Sequence, residues 1–219
     1  METNYNQIVS LIWNIADDVL RDVFLRGQYR DVILPMVVLR RLDALLEPTK
    51  VKVEEELQQQ KKMELDEMDE EVLKDITGLS YFNTSKWTLN RLKSTASDNN
   101  DILYDNFVEY LNGYSENVRD VLKNFEYYAK ARKLADNDRL LSIIERITAP
   151  QINLTNQDQK DPDGLPLPAL TNVGMGTVFE ELLRRFNEEN NEEAGEHFTP
   201  RDAISLLARV LFEPVKDNL

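Results

Sequence analysis

The residues best suited to chemistry lie in one stretch near the C-terminal end, residues 195–204, which reads Gly-Glu-His-Phe-Thr-Pro-Arg-Asp-Ala-Ile. Thr199 is a good N-cap residue, and Pro200 suits the first position of a helix, where a missing N–H costs nothing. Asp202 follows the cap by three residues, where the helix dipole favours a negative charge. Because a helix N-terminus offers unpaired N–H groups to an anion, the stretch predicts a binding site for a carboxylate or phosphate. The Thr-Pro-Arg-Asp segment alone favours the simpler interpretation, a capped helix with no ligand.

Other kinds of site find little support in the sequence. His197 is the only histidine and there is no cysteine, so the nitrogen and sulfur ligands of a zinc site are lacking. The carboxylates follow no calcium-loop pattern, and no serine has the setting of a nucleophile. We therefore predict no metal site and interpret His197 as a residue of pocket lining or loop structure.

The charge of the chain limits its direct partners. Forty acidic residues face 26 basic ones, which gives a net charge of −14. Such a surface repels a phosphate backbone on average, which argues against a chain that binds nucleic acid independently of a local basic patch or a partner. No apolar run approaches the roughly 18 residues of a membrane span, and no signal peptide is recognisable. The sequence thus predicts a cytoplasmic protein without a membrane association.

The first part of the chain predicts helices around a buried centre. Apolar residues recur at helical spacing from about residue 4 to residue 23, and Gly27 is expected to end that helix. Residues 32–39 contain no polar side chain, which predicts a central helix buried on all sides. Pro35 should lie near its start or kink it. Arg40 and Arg41, at the basic and solvated end of this helix, are expected to leave the core.

The remainder predicts more helices and one connection. Residues 51–74 read as an exposed helix or helical pair, and further helices are expected over about 102–112, 117–130 and 138–148. Four of the eight prolines fall between residues 149 and 171, which predicts a partly packed connecting loop. We find no convincing strand. The fold class is therefore all-α, with a multi-helix domain at 1–150, a linker at 151–171 and a second domain beginning at 172.

Two separated segments resemble one protein family. Residues 178–186 (Val-Phe-Glu-Glu-Leu-Leu-Arg-Arg-Phe) together with Gly-Glu-His-Phe-Thr-Pro-Arg resemble the entry to the catalytic domain of adenine-N6 DNA methyltransferases. The similarity is greatest to the modification subunit of type I restriction–modification systems. Near the N-terminus, Arg-Gly-x-Tyr, Ile-Leu-Pro and Leu-Arg-Arg-Leu-Asp resemble the N-terminal helical domain of the same subunit. Two matches in the right order are far more specific than either alone.

The resemblance implies a cofactor, S-adenosylmethionine. It assigns to the cofactor pocket Glu196, His197, Phe198, Thr199, Pro200 and Arg201. The family also uses a Gly-rich loop after its first strand and an Asp/Asn-Pro-Pro-aromatic motif, and neither occurs here. Residues 172–219 are therefore expected to be the start of a truncated methyltransferase domain, with no catalytic residue in the chain. By itself this N-terminal fragment is expected to be inactive.

The resemblance also implies partners. A specificity subunit would read the DNA sequence, a restriction subunit would complete the complex, and double-stranded DNA would be reached through the assembly. Our candidates for contact with DNA or a neighbouring subunit are Arg26, Arg30, Arg40 and Arg41. The alternative is a helical adaptor that binds only protein, with a capped helix that happens to resemble the cofactor segment.

Overall fold

A computed structural model describes residues 2–63, 68–96, 99–189 and 201–213. Almost all regular structure in these ranges is helical, which confirms the all-α prediction. The helices are α1 Glu2–Leu20, α2 Tyr29–Leu46, α3 Lys50–Lys62, α4 Glu70–Thr77, α5 Leu89–Ser94, α6 Asn100–Asn112, α7 Glu116–Asn124, α8 Tyr127–Asp136, α9 Leu140–Ile147, α10 Asn172–Glu189 and α11 Arg201–Phe212.

Helix α2 is the centre of the main hydrophobic core. It contacts α1, α8, α9 and α10, and of residues 32–39 only Val38 is not fully buried. The prediction of a central buried helix is confirmed. Pro35 lies in the second turn of this helix and cannot donate a hydrogen bond to the Asp31 carbonyl. Packing on several sides holds the helix together across that missing bond.

Two helix ends differ from the sequence-based expectation. Helix α1 ends at Leu20, and Asp22 takes a left-handed conformation with φ of 70°, so the break precedes Gly27. The predicted single helix over 117–130 is wrong, because Glu126 (φ 51°) separates α7 from α8. After this break Tyr127 is fully buried, and its hydroxyl donates to the Met36 sulfur at 3.3 Å. Core packing therefore offsets the strain of a left-handed glutamate.

The predicted helical pair after α2 is present as α3 and α4. The two helices share a small second core formed by Val53, Leu73 and Phe82. The Asp69 side chain accepts hydrogen bonds from two backbone N–H groups of α4, and Gly78 ends that helix in the left-handed conformation. Their other faces are largely exposed, as the charged sequence predicts.

The connecting loop is folded onto the helices. Ile152, Leu154 and Leu170 are buried in the main core, whereas Leu165 is 61% exposed. Two short strands, β1 Gln159–Lys160 and β2 Pro166–Leu167, pair antiparallel across the Asp-Pro-Asp-Gly turn. The prediction of no strand missed this hairpin, which is too short to leave a periodic sequence signal.

Two kinds of feature are absent from the described part of the chain. No helix there is both long enough and apolar enough to cross a membrane. In the same residues, no three histidine or acidic side chains come together in a group that could hold a metal ion.

Candidate functional site

The predicted cofactor residues follow α10. Glu196, His197, Phe198, Thr199 and Pro200 lie outside the described residues, and Arg201 is the first residue of α11. The expected helix after Pro200 is therefore present. Its apolar side chains are at least half exposed: Ile204, Leu206, Leu207, Val210, Leu211 and Phe212. A helix that is apolar around most of its circumference is suited to burial by further structure.

Helix α10 leads into this segment and is packed on the N-terminal helices. Val178, Leu182 and Phe186 are buried in the same core as α1 and α2. The ring of Phe186 lies 4.9 Å from that of Trp13, so Trp13 packs at the edge of the core. Gly174 allows a close approach to α1, since a Cβ there would lie 2.8 Å from the Tyr5 hydroxyl. The face of α10 towards α1 is thus tightly fitted.

Arg41 fastens the beginning of α10. Its Nη1 donates to the Leu154 carbonyl at 2.5 Å, and its Nη2 donates to Oδ1 of Asn172 at 3.0 Å. The residue is 5% exposed, and burial lowers the pKa of its guanidinium from the ordinary value. One side chain of α2 thereby joins the connecting loop and the first residue of α10.

Two further arginines fasten the end of α10. Arg30 donates from Nη1 to Oδ1 of Asn187 at 3.1 Å, and Asn187 is 2% exposed. Arg26 forms an ion pair with Glu189 at 3.1 Å, with side chains that are 66% and 39% exposed. The buried asparagine contact orders this end of the helix more than the solvated ion pair does.

The structure corrects the predicted position of Arg40 and Arg41. We expected both to leave the core, but they are 8% and 5% exposed. Arg40 lies 3.9 Å from the Asp43 carboxylate, and among the described residues its Nε and Nη1 have no hydrogen-bond acceptor. The connecting loop and α5 cover this end of α2, which explains the burial. Neither guanidinium is placed to contact a solvated phosphate in this structure.

Asp43 is the most strongly perturbed carboxyl group in this region. Both its oxygens lie 3.3 Å from the Leu89 N–H, at the start of α5. Burial raises the pKa of Asp43 to about 6, although the Arg40 charge and the Leu89 N–H act in the opposite direction. Its contacts are to structural groups of the core, so we interpret it as an organiser of the α2–α5 junction.

Three residues of this arrangement were not found by sequence reasoning as site residues. They are Asn172, Asn187 and Glu189. The pairing arginines lie 131, 157 and 163 residues away along the chain. No local pattern carries such long-range information.

Concave surfaces border α10. An apolar groove of about 370 Å³ lies between α2, α7 and α10, with Val38, Val121, Phe125 and Phe179 in its lining. A smaller cleft of about 110 Å³ lies at the end of α10 and contains Trp13, Tyr29, Phe186 and the Arg26–Glu189 pair. The lining of the groove is almost wholly apolar, so it offers no set of convergent polar groups for catalysis.

Comparison with known proteins gives two family matches in order along the chain. The family described as HsdM N-terminal domain matches residues 8–147, and the family described as N-6 DNA Methylase matches residues 172–219. No curated protein and no solved structure matches the chain. The first match covers more than half of the chain and runs from within α1 to the end of α9. The chain therefore belongs to the DNA-methyltransferase (modification) subunits of type I restriction–modification systems, as a part that carries the N-terminal helical domain.

Proposed function

We propose that this chain supports the transfer of a methyl group from S-adenosylmethionine to the exocyclic amine of adenine in DNA. The observation that carries the proposal is the order of the two family matches, which meet at the connecting loop. We propose the same division for the domains: 1–150 for the helical domain, 151–171 for the linker, and 172–219 for the start of the methyltransferase domain. The methyl-accepting base would have to leave the duplex to reach the site.

The proposed cofactor segment runs from Glu196 to Arg201. Helix α11 begins at Arg201, and the dipole at a helix N-terminus favours an anionic group such as the carboxylate of S-adenosylmethionine. The cofactor would supply the electrophilic methyl group. The chain's own contribution is to hold and orient the cofactor, with Arg201 as the cationic side chain of the segment.

The proposed partners are a specificity subunit, a restriction subunit and double-stranded DNA in the cytoplasm. A chain with a net charge of −14 suits a subunit that holds DNA through an assembly. Of the four arginines predicted to make such contacts, Arg26 has the most exposed side chain, at 66%. We therefore keep Arg26 as the candidate for contact with DNA or a neighbouring subunit. The helical-adaptor alternative has no support from the family matches.

The test is S-adenosylmethionine binding by the complete modification subunit. We expect Arg201→Ala to weaken binding about tenfold or more, as expected for the loss of a charge-assisted hydrogen bond. The matched control is Arg209→Ala, which removes an exposed arginine from the same helix. Isothermal titration calorimetry would measure both, with circular dichroism to confirm folding. Equal affinity in the wild type and Arg201→Ala would contradict the assignment.

A further inference from the structure

We propose that α3 and α4 form a lobe that opens and closes as one cooperative unit while the rest of the protein stays folded. The lobe consists of residues 50–62 and 70–77. It is an order–disorder element of the fold, because it changes state without the loss of the main core. The inference uses contacts within this chain and does not depend on the proposed methyl transfer.

The lobe has a hydrophobic core of its own. Val53 of α3 and Leu73 of α4 are buried against Phe82, in a cluster that is separate from the main core around α2. Within the described ranges, α3 packs mainly on α4 and on the turn at residues 47–49, and neither helix has an extensive contact with another helix. The two helices therefore depend chiefly on each other for burial.

A buried glutamine joins the two helices at their adjoining ends. Gln60, in the last turn of α3, is 6% exposed. Its Oε1 accepts from the Asp69 N–H at 3.0 Å, and its Nε2 donates to the Asp69 carbonyl at 3.5 Å. Asp69 is also the N-cap of α4. Because the end of α3 and the start of α4 share these bonds, a disturbance of one helix should reach the other.

Polar contacts fasten the base of the lobe to the rest of the protein. Lys50, at the start of α3, donates from Nζ to the carbonyls of Asn83 and Ser85, the first at 3.0 Å. Burial lowers the pKa of Lys50 to about 8, so its ammonium is held less favourably here than in water. Glu54 pairs with Arg91 of α5, and both side chains are partly exposed to solvent. Such contacts stabilise the closed lobe only weakly.

The open lobe is expected to lose its helices. Helix α3 has 13 residues and α4 has 8. Isolated helices of this length are marginal in water, so both depend on the shared core. The main core keeps the buried faces of α2 and α9 when the lobe opens. Opening of the lobe should therefore cost less free energy than global unfolding, and the amides of α3 and α4 should exchange through one common opening.

Hydrogen exchange on the complete 219-residue chain tests this unit. We expect the amides of α3 and α4 to exchange about a hundredfold or more faster than the slowest amides of α2 and α9. Val53→Ala should speed exchange about tenfold in both α3 and α4, because it removes buried methyl groups from the shared core. Leu73→Ala should speed exchange in the same two helices about thirtyfold or more.

Two matched variants serve as controls. Val51→Ala removes the same atoms from a side chain of α3 that is 58% exposed, so exchange in both helices should stay within about threefold of the wild type. Ile143→Val deletes one methyl group from the main core. It should speed the slowest amides of α2 and α9 several-fold without an effect on α3 or α4.

The pattern of exchange across the helices decides the outcome. An equal effect of Val53→Ala on α3 and α4, with α2 and α9 unchanged, supports the cooperative lobe. A rise in α3 alone, or a rise by the same factor in α2 and α9, would overturn it. Wild-type exchange that is as slow in α3 and α4 as in α2 and α9 would overturn it as well.

Discussion

The buried carboxyl group of Asp43 should make the stability of this protein fall as pH rises through the weakly acidic range. Two opposing effects act on it. Burial penalises the carboxylate, whereas Arg40 at 3.9 Å and the Leu89 N–H stabilise it. Burial is the larger effect, so the pKa rises from its ordinary value of 3.8 to about 6. Glu47, whose charge also raises this pKa, adds to the burial effect.

The sign of the effect follows from proton linkage. Because the pKa of Asp43 is higher in the folded than in the unfolded protein, the folded state binds the proton more tightly between about pH 4 and pH 6. The resulting stability is fully present below the unfolded pKa and is lost as pH rises through the folded one. At about 1.4 kcal/mol for each pH unit between the two values, the full change is about 3 kcal/mol.

Urea unfolding of the wild type and Asp43→Asn at several pH values measures this change. The free energy of unfolding of the wild type minus that of the variant should fall by about 2 kcal/mol between pH 4.5 and pH 7. Asp120→Asn is the control, because Asp120 forms an exposed ion pair with Lys123 that should matter by less than about 0.5 kcal/mol. A difference that rises with pH would refute the reasoning, since the ion pair with Arg40 would then outweigh burial.

Three further substitutions test local packing and capping, each by urea unfolding at pH 7. Gly113→Ala should cost about 2 kcal/mol or more, because its Cβ would lie 2.5 Å from Oδ1 of Asn83 and 2.6 Å from the Ser85 backbone nitrogen. Gly78→Ala should cost about 1 kcal/mol, because open space surrounds it and only the left-handed backbone (φ 65°) is strained. Equal costs at the two glycines would contradict the packing argument. Asp69→Ala should cost about 1 kcal/mol by removing the N-cap of α4, and no change would show that α4 does not depend on its cap.

The sequence was sufficient to predict features with a local cause. The apolar run over residues 32–39 predicted the central helix, because a helix with no polar side chain on any face is expected to be buried on all sides. Thr199 and Pro200 predicted that a helix follows, and α11 begins at Arg201. The two segments that resemble the family lie in the order in which the two families match the chain.

Features that depend on distant contacts could not be predicted in this way. Arg41 reads as a basic helix end, and only the fold places Leu154 and Asn172 beside it.

 The two acceptors of this guanidinium, the Leu154 carbonyl and the Asn172 side chain, lie 113 and 131 residues further along the chain. The break at Glu126 likewise has no local signal, because a left-handed glutamate is stable there only through the burial of Tyr127. Sequence reasoning therefore assigned Arg40 and Arg41 to solvent, whereas the structure buries both.

The proposed function of this chain is a part in the methylation of adenine in DNA with S-adenosylmethionine. The most direct measurement uses the complete modification subunit, its specificity subunit, cofactor with a labelled methyl group, and a duplex that contains the recognised site. After digestion to nucleosides, we predict label in N6-methyladenine for the wild type and for Arg209→Ala. We predict a loss of label for Arg201→Ala. Label in a methylated cytosine, or no transfer by the assembled complex, would contradict the account.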